Sequence, residues 1–202
     1  MKESIYDRRY QDFSKVMIKN LFELDSMLKE TGINYFIAED TAVRAYVITL
    51  KNKKIIKTKP DIFKLKIKDD NEKISNLKDL ITESKNFEND RFRPTYQIIS
   101  KQCGIFDFSV EFNDIEFTHK QLLTNELASL PAQNPSTLTA YLIDNLNYDD
   151  RELMNIYRMF TLFNNKQLKP NKGLFNERIK EYNCEETYNK VKNLLKIDNP
   201  FS

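Results

Sequence analysis

Phe36-Ile37-Ala38-Glu39-Asp40-Thr41-Ala42 and, beyond it, Lys57-Thr58-Lys59-Pro60-Asp61-Ile62-Phe63-Lys64-Leu65-Lys66-Ile67 are the segments on which the fold of this chain turns. The first closes a short apolar and aromatic run from Ile33 to Ala38, the signature of a buried strand. Thr41 to Leu50 then reads as a helix packed by Ala42, Ala45, Tyr46 and Ile48. Asp40 is placed to cap that helix, and the positive end of the macrodipole favours both Glu39 and Asp40 there. In the second segment Pro60 marks a strand start. Phe63, Leu65 and Ile67 then alternate with Lys64, Lys66 and Lys68, the period of a strand with one exposed face. The order is strand, turn, helix, strand.

Working outward, Phe13, Val16, Met17, Leu21, Leu24 and Leu28 recur at helical spacing, which predicts one amphipathic helix from about Tyr6 to Glu30, ended by Thr31-Gly32. Ile74 to Thr82 reads as a short helix, Asn86 to Pro94 as a loop, and Tyr96 to Ser100 as a strand. Cys103-Gly104 fits a hairpin turn into Ile105 to Phe112, whose second face carries Asp107 and Glu111. After Ile115-Glu116-Phe117 the strand signals stop. Leu130-Pro131 and Asn134-Pro135-Ser136 form a punctuated connection, so a domain boundary is placed between His119 and Ser136. Ser136 is the expected N-cap of a helix through Leu146, Tyr148-Asp149-Asp150 opens another, and Lys172 to Tyr182 and Glu185 to Leu195 complete the set. The expected fold class is α+β, with a mixed sheet flanked by helices over residues 1–120 and a helical region over residues 121–202.

Composition narrows the class. The 202 residues are 40% hydrophobic and 31% charged, with 14 Phe and 10 Tyr, which is ample for a packed core. A formal net charge of +2 gives no global field toward nucleic acid, so any anion site is local. Cys103 and Cys184 lie far apart with no second Cys or His beside either, which reads as reduced thiols rather than a metal site. The N-terminus lacks an apolar signal region and no apolar run approaches the ~20 residues of a membrane helix. The expectation is a cytoplasmic protein with no membrane partner. Lys51, Lys53, Lys54, Lys57, Lys59, Lys64, Lys66 and Lys68 form a basic stretch, read as a solvated edge strand guarded by lysines, or else as a surface for the phosphates of a nucleotide or RNA. His119 reads as a surface residue, and Cys184 as a small packing residue.

Glu39-Asp40-Thr41-Ala42 followed by Thr58-Lys59-Pro60-Asp61-Ile62-Phe63 resembles the nucleotidyltransferase superfamily. There a strand enters a Gly-Gly or Gly-Ser turn and a helix, and the next strand carries Asp-x-Asp. Ala140-Tyr141-Leu142-Ile143 and Arg151-Glu152-Leu153-Met154-Asn155-Ile156-Tyr157 extend the likeness to its abortive-infection (AbiEii-like) toxins. The resemblance implies a nucleotidyltransferase-like sheet, with Asp61 and Asp107 as catalytic carboxylates and metal ligands, and Thr41 and Lys59 at the nucleotide. The departures fall on functional positions. Glycine in the turn permits positive φ and lets backbone N–H groups approach a triphosphate, whereas Glu39 and Asp40 bring charge that repels it. Two-metal transfer needs three acids, two of them one residue apart, and here only Asp61 stands in that motif. The resemblance therefore implies a divergent, catalytically impaired protein acting in binding or regulation, in a toxin–antitoxin or phage-defence setting, with a nucleotide, RNA or protein as partner. The alternative it leaves open is an active transferase using Mg²⁺, with Asp61 and Asp107 assisted by Glu39, Asp40 or Glu111, moving a nucleotide to an RNA, protein or small-molecule acceptor.

Overall fold

The structure is a computed structural model, and it describes residues 20–49, 62–68, 70–89, 96–100, 104–110, 116–117, 120–124 and 129–197. Helix α1 (20–30) buries Leu21, Leu24 and Leu28, the stripe its spacing predicts; the part of the expected helix before residue 20 lies outside the described residues. Gly32 ends it at φ 69°, with its N–H donating to the Lys29 carbonyl at 3.0 Å and the Ile33 N–H donating to the Leu28 carbonyl at 2.9 Å. That paired closure needs a left-handed residue, which glycine supplies without a Cβ penalty.

Strand β1 (Tyr35–Ile37) leads into α2 (Glu39–Thr49), followed by β2 (Ile62–Ile67), α3 (Asn71–Glu83), β3 (Phe87–Asn89), β4 (Tyr96–Ser100), β5 (Gly104–Val110), β6 (Gln121–Thr124) and β7 (Ser129–Ala132). The strands form one seven-stranded sheet in the order β3-β4-β5-β2-β1-β7-β6. β2 runs antiparallel to β1 and parallel to β5, and β1 runs parallel to β7, so the sheet is mixed as expected. β2 is a central strand, which corrects its reading as a lysine-guarded edge: both of its edges are hydrogen-bonded to neighbours. β3 lies inside the segment expected to be loop. β6 and β7 lie beyond Phe117, where the strand signals of the sequence stop, so the sheet draws strands from both sides of residue 120.

Alternation decides which face of the sheet each side chain joins. Tyr35 and Ile37 of β1, Phe63, Leu65 and Ile67 of β2, Ile98 of β4, and Phe106 and Phe108 of β5 are buried in the main core. The Phe63 and Phe106 rings stack at 4.9 Å. On the opposite face Phe36, Ala38 and Phe117 form a small apolar cluster of their own, with Phe36 and Phe117 edge to face at 5.2 Å.

The C-terminal helices are α4 (Pro135–Asp144), α5 (Asp150–Asn164), α6 (Lys172–Glu181) and α7 (Glu185–Leu195). Asn134, Asp149 and Asn171 cap the first three, each side chain accepting an N–H of the first turn. Asn134 with Pro135 at the first turn displaces Ser136 from the expected cap; the Ser136 hydroxyl instead accepts the Asn171 N–H at 2.8 Å. α2 packs on α4 and α5, and residues from Leu21 to Val191 share one hydrophobic core. A buried ion pair ties α6 to the segment 116–117: Arg178 Nε lies 3.6 Å from Glu116 Oε1, while Thr137 Oγ1 of α4 donates to Glu116 Oε2 at 3.0 Å. Cys184 is buried and its thiol points at the Ile179 carbonyl, the packing role expected of it. Among the described residues no helix is long and apolar enough to cross a membrane.

Candidate functional site

The strand–turn–helix corner is built from backbone first. The Ala38 N–H donates to the Lys64 carbonyl at 3.0 Å, and the Lys64 N–H donates to Thr41 Oγ1 at 2.7 Å, so the peptide of Lys64 is held on both sides by the turn. Helix α2 starts at Glu39, which places Asp40 in its first turn rather than at the cap. Glu39 has φ 53°, the left-handed region, where a side chain with a Cβ is uncommon. The backbone shape that favours glycine is therefore present without the glycine. Just past the end of β7, Gln133 steadies the turn: its Oε1 accepts the Glu39 N–H at 3.3 Å, its own N–H donates to the Ile37 carbonyl at 2.8 Å, and its carbonyl accepts the buried Tyr46 hydroxyl at 2.8 Å.

On this face of the sheet β2 presents Lys64 and Lys66. The Lys64 ammonium lies 3.0 Å from one oxygen of Glu39, and that of Lys66 lies 3.9 Å from the other. The Tyr141 phenol of α4 lies beside the same carboxylate; burial raises its pKa well above the ordinary tyrosine value, and the charge of Glu39 adds to that. Asp107 pairs in register with Lys64 across β2 and β5, which puts both side chains on one face. Burial works to lower the pKa of Lys64, but the hydrogen bond and charge of Glu39, with Asp107 and Asp40 behind them, carry it above the usual lysine value. Asp40 also pairs with the buried Arg44 one turn along the helix, at 3.3 Å.

Of the residues singled out from sequence, Thr41 is buried at this corner with its hydroxyl accepting a β2 amide, and Asp107 is half-buried beside Lys64. Asp61 and Lys59 lie outside the described residues, as do Glu111, Cys103 and His119. Phe63, whose side of the strand Asp61 is expected to share, faces the main core, opposite to Asp107. Gln133 and Tyr141 carry the site without having been singled out as site residues. Lys64 and Lys66 were read as a solvated surface, yet they are half-buried and paired. The signal available in sequence was strand parity: the lysines alternate against Phe63 and Leu65 just as Asp107 alternates against Phe106 and Phe108.

A divalent ion is what a nucleotidyltransferase-like corner of this kind implies, and the described residues do not fit one. The described carboxylates at the corner are Glu39, Asp107 and Asp40; the Lys64 ammonium bears on all three, and Asp40 is also paired with Arg44. A hard cation needs several oxygen donors, and two ammonium groups in the same shell compete for those oxygens and repel the ion. Among the described residues no three His, Cys, Asp or Glu side chains are grouped to hold a metal.

No protein-family model matches this sequence, and no curated protein matches it at the level of sequence. Solved structures do match its shape. An antigenic nucleotidyltransferase-like protein from Paracoccidioides brasiliensis superposes with a TM-score of 0.52 at 16% identity, over 92% of this chain and 93% of that one. The antibiotic-resistance factor ANT(2'')-Ia matches twice. Its complex with adenylyl-2''-tobramycin gives a TM-score of 0.53 at 9% identity, over 83% of this chain and 99% of that one. Its solution structure gives 0.52 at 9% identity, over 87% and 98%. At these identities the likeness is one of fold, and the chain has a nucleotidyltransferase-like α+β fold.

Proposed function

We propose that this protein uses a nucleotidyltransferase-like fold to bind rather than to transfer a nucleotide, and that it acts as a regulatory or binding protein. One observation carries the reading: at the corner where the fold would need carboxylate oxygens for a metal, the Glu39 carboxylate is engaged by Lys64 at 3.0 Å and by Lys66 at 3.9 Å. In-line transfer onto an acceptor relies on cations that neutralise the phosphates and activate the nucleophile, and lysines paired to an acid do not replace them. The likeness of Ala140 to Ile143 and of Arg151 to Tyr157 to abortive-infection toxins supports a toxin–antitoxin or phage-defence setting for this role. Calorimetric titration with each of the four ribonucleoside triphosphates, with and without Mg²⁺, tests it. The expected result is no Mg²⁺-dependent binding; a clear micromolar response that appears only with Mg²⁺ refutes it.

A second reading has one observation in its favour. Asp107 shares a face and a register position with Lys64, and so stands near Glu39. In that reading Asp107, with Asp61 and a recruited Glu39, holds Mg²⁺ for transfer to an RNA, protein or small acceptor. Incubation with labelled triphosphates and cell extract would then give a labelled product that Asp107→Ala abolishes.

A further inference from the structure

Three groups from two elements converge on the Glu39 carboxylate: the ammonium groups of Lys64 and Lys66 on β2, and the phenol of Tyr141 on α4. Two ammonium groups and a phenol are a donor set for a free anion, filled here by a side chain of the same molecule. The fit is uneven. Alternate residues of a strand are about 6.6 Å apart, so one carboxylate reaches Lys64 well at 3.0 Å and Lys66 poorly at 3.9 Å. An anion whose oxygens spread over more than one phosphoryl group spans both lysines. Charge points the same way: Glu39 and Asp107 balance Lys64 and Lys66, and withdrawal of Glu39 leaves one positive charge in excess. The Glu39 side chain is 18% exposed, so it has a way out to solvent.

We propose that this corner is an anion-exchange site, in which a di- or triphosphate displaces the Glu39 carboxylate from Lys64, Lys66 and Tyr141 and is held without a divalent ion, Glu39 serving as a built-in competitor. The proposal rests on the reading that this corner binds rather than transfers, and it adds the ligand class and the means of control. Arg44 and Asp40 pair with each other on α2 and do not alter the balance.

The test is calorimetry with inorganic tripolyphosphate in EDTA at low ionic strength, on wild type, Glu39→Gly, Glu39→Gln, and Glu39→Gly combined with Lys66→Met. Removing the competitor is expected to tighten binding up to about fivefold in Glu39→Gly, the scale of a partly exposed ion pair. Glu39→Gln, which keeps the bulk and loses the charge, falls between it and wild type. Adding Lys66→Met cancels the gain, and added salt weakens every titration. An ATP arm separates the sources: an equal gain assigns recognition to the phosphates alone, and a gain present with tripolyphosphate but larger with ATP adds a contact to the nucleoside. Both Glu39 variants binding no better than wild type overturns the proposal; should Glu39→Gly not fold, Glu39→Gln decides alone. Because EDTA removes the metal, Mg²⁺-dependent product from wild type would sink the non-catalytic reading and leave this titration intact. Unchanged titrations would sink only the exchange.

Discussion

Replacing Glu39 by glycine and by alanine separates the two energies stored at the corner. Both changes remove the ion pairs to Lys64 and Lys66. With side-chain exposures of 18% for Glu39, 39% for Lys64 and 20% for Lys66, those pairs are worth about 1 kcal/mol at most in water. The changes differ in the backbone. Residue 39 sits at φ 53°, where a Cβ costs roughly 1–2 kcal/mol, and alanine keeps that cost while glycine removes it. Against this, glycine loses about 0.5–1 kcal/mol more conformational entropy on folding. The balance makes Glu39→Gly more stable than Glu39→Ala by about 0.5–1 kcal/mol, and close to wild type. In a chain of this size that is a separation of about 1–4 °C in Tm. Urea unfolding of the two variants, with equal slopes so that only the midpoints differ, measures it. Glu39→Ala as stable as Glu39→Gly, or more so, would refute the left-handed assignment.

Other consequences are as direct. Thr41→Val removes the acceptor of the part-buried Lys64 N–H, so it should cost about 1 kcal/mol in urea unfolding while Thr41→Ser costs much less. Tyr35→Phe strips a 2.7 Å hydrogen bond from the buried Asp25, which also takes the Lys29 ammonium at 2.6 Å; a bond to a charged group is worth about 1.5–3 kcal/mol, and thermal denaturation should show that loss. Burial pushes the Cys184 thiol from 9.0 up to about 11, and burial likewise raises the phenols of Tyr35 and Tyr46. Above about pH 9 the unfolded chain releases these protons and the folded chain keeps them, so stability present at neutral pH falls as pH rises toward about 11. Urea midpoints at about pH 8 and pH 10.5 should show that decline. For the same reason, mass spectrometry of the Cys184 peptide should find alkylation at about pH 8 only after denaturant is added.

Much of the architecture is written in local pattern. Gly32 announces the end of α1, the alternation of Phe63, Leu65 and Ile67 marks β2, and Asp149 and Asn171 sit just where their helices begin. What local pattern does not carry is company. Lys64 and Lys66 have the alternation of a wet strand face, and nothing within ten residues shows that Glu39 and Tyr141 are folded over them. The same blindness made a central strand look like an edge, because alternation reports one face of a strand and not the neighbours along its sides. β3 was missed because Phe87 is its one apolar residue, and β7 because Pro131 lacks the N–H that strand pairing uses. Both are three or four residues long and owe their extended shape to the strands beside them. The cap at Asn134 escaped notice because Ser136, two residues on, is an equally good capping type.

The position of β1 bears on how the chain is made. Three residues long, it lies between β2 and β7, and its contact with β7 is the pairing of Ile37 with Ala132, extended by the Gln133 N–H on the Ile37 carbonyl. On a ribosome, β2 and β5 emerge well before Ala132 does. Through that interval one side of β1 offers bare peptide groups beside the apolar Tyr35 and Phe36, the kind of surface that captures other strands. The hazard for this protein thus belongs to its synthesis rather than to its finished form, and holding the nascent chain until β7 docks is the moment at which a chaperone would have the most to contribute.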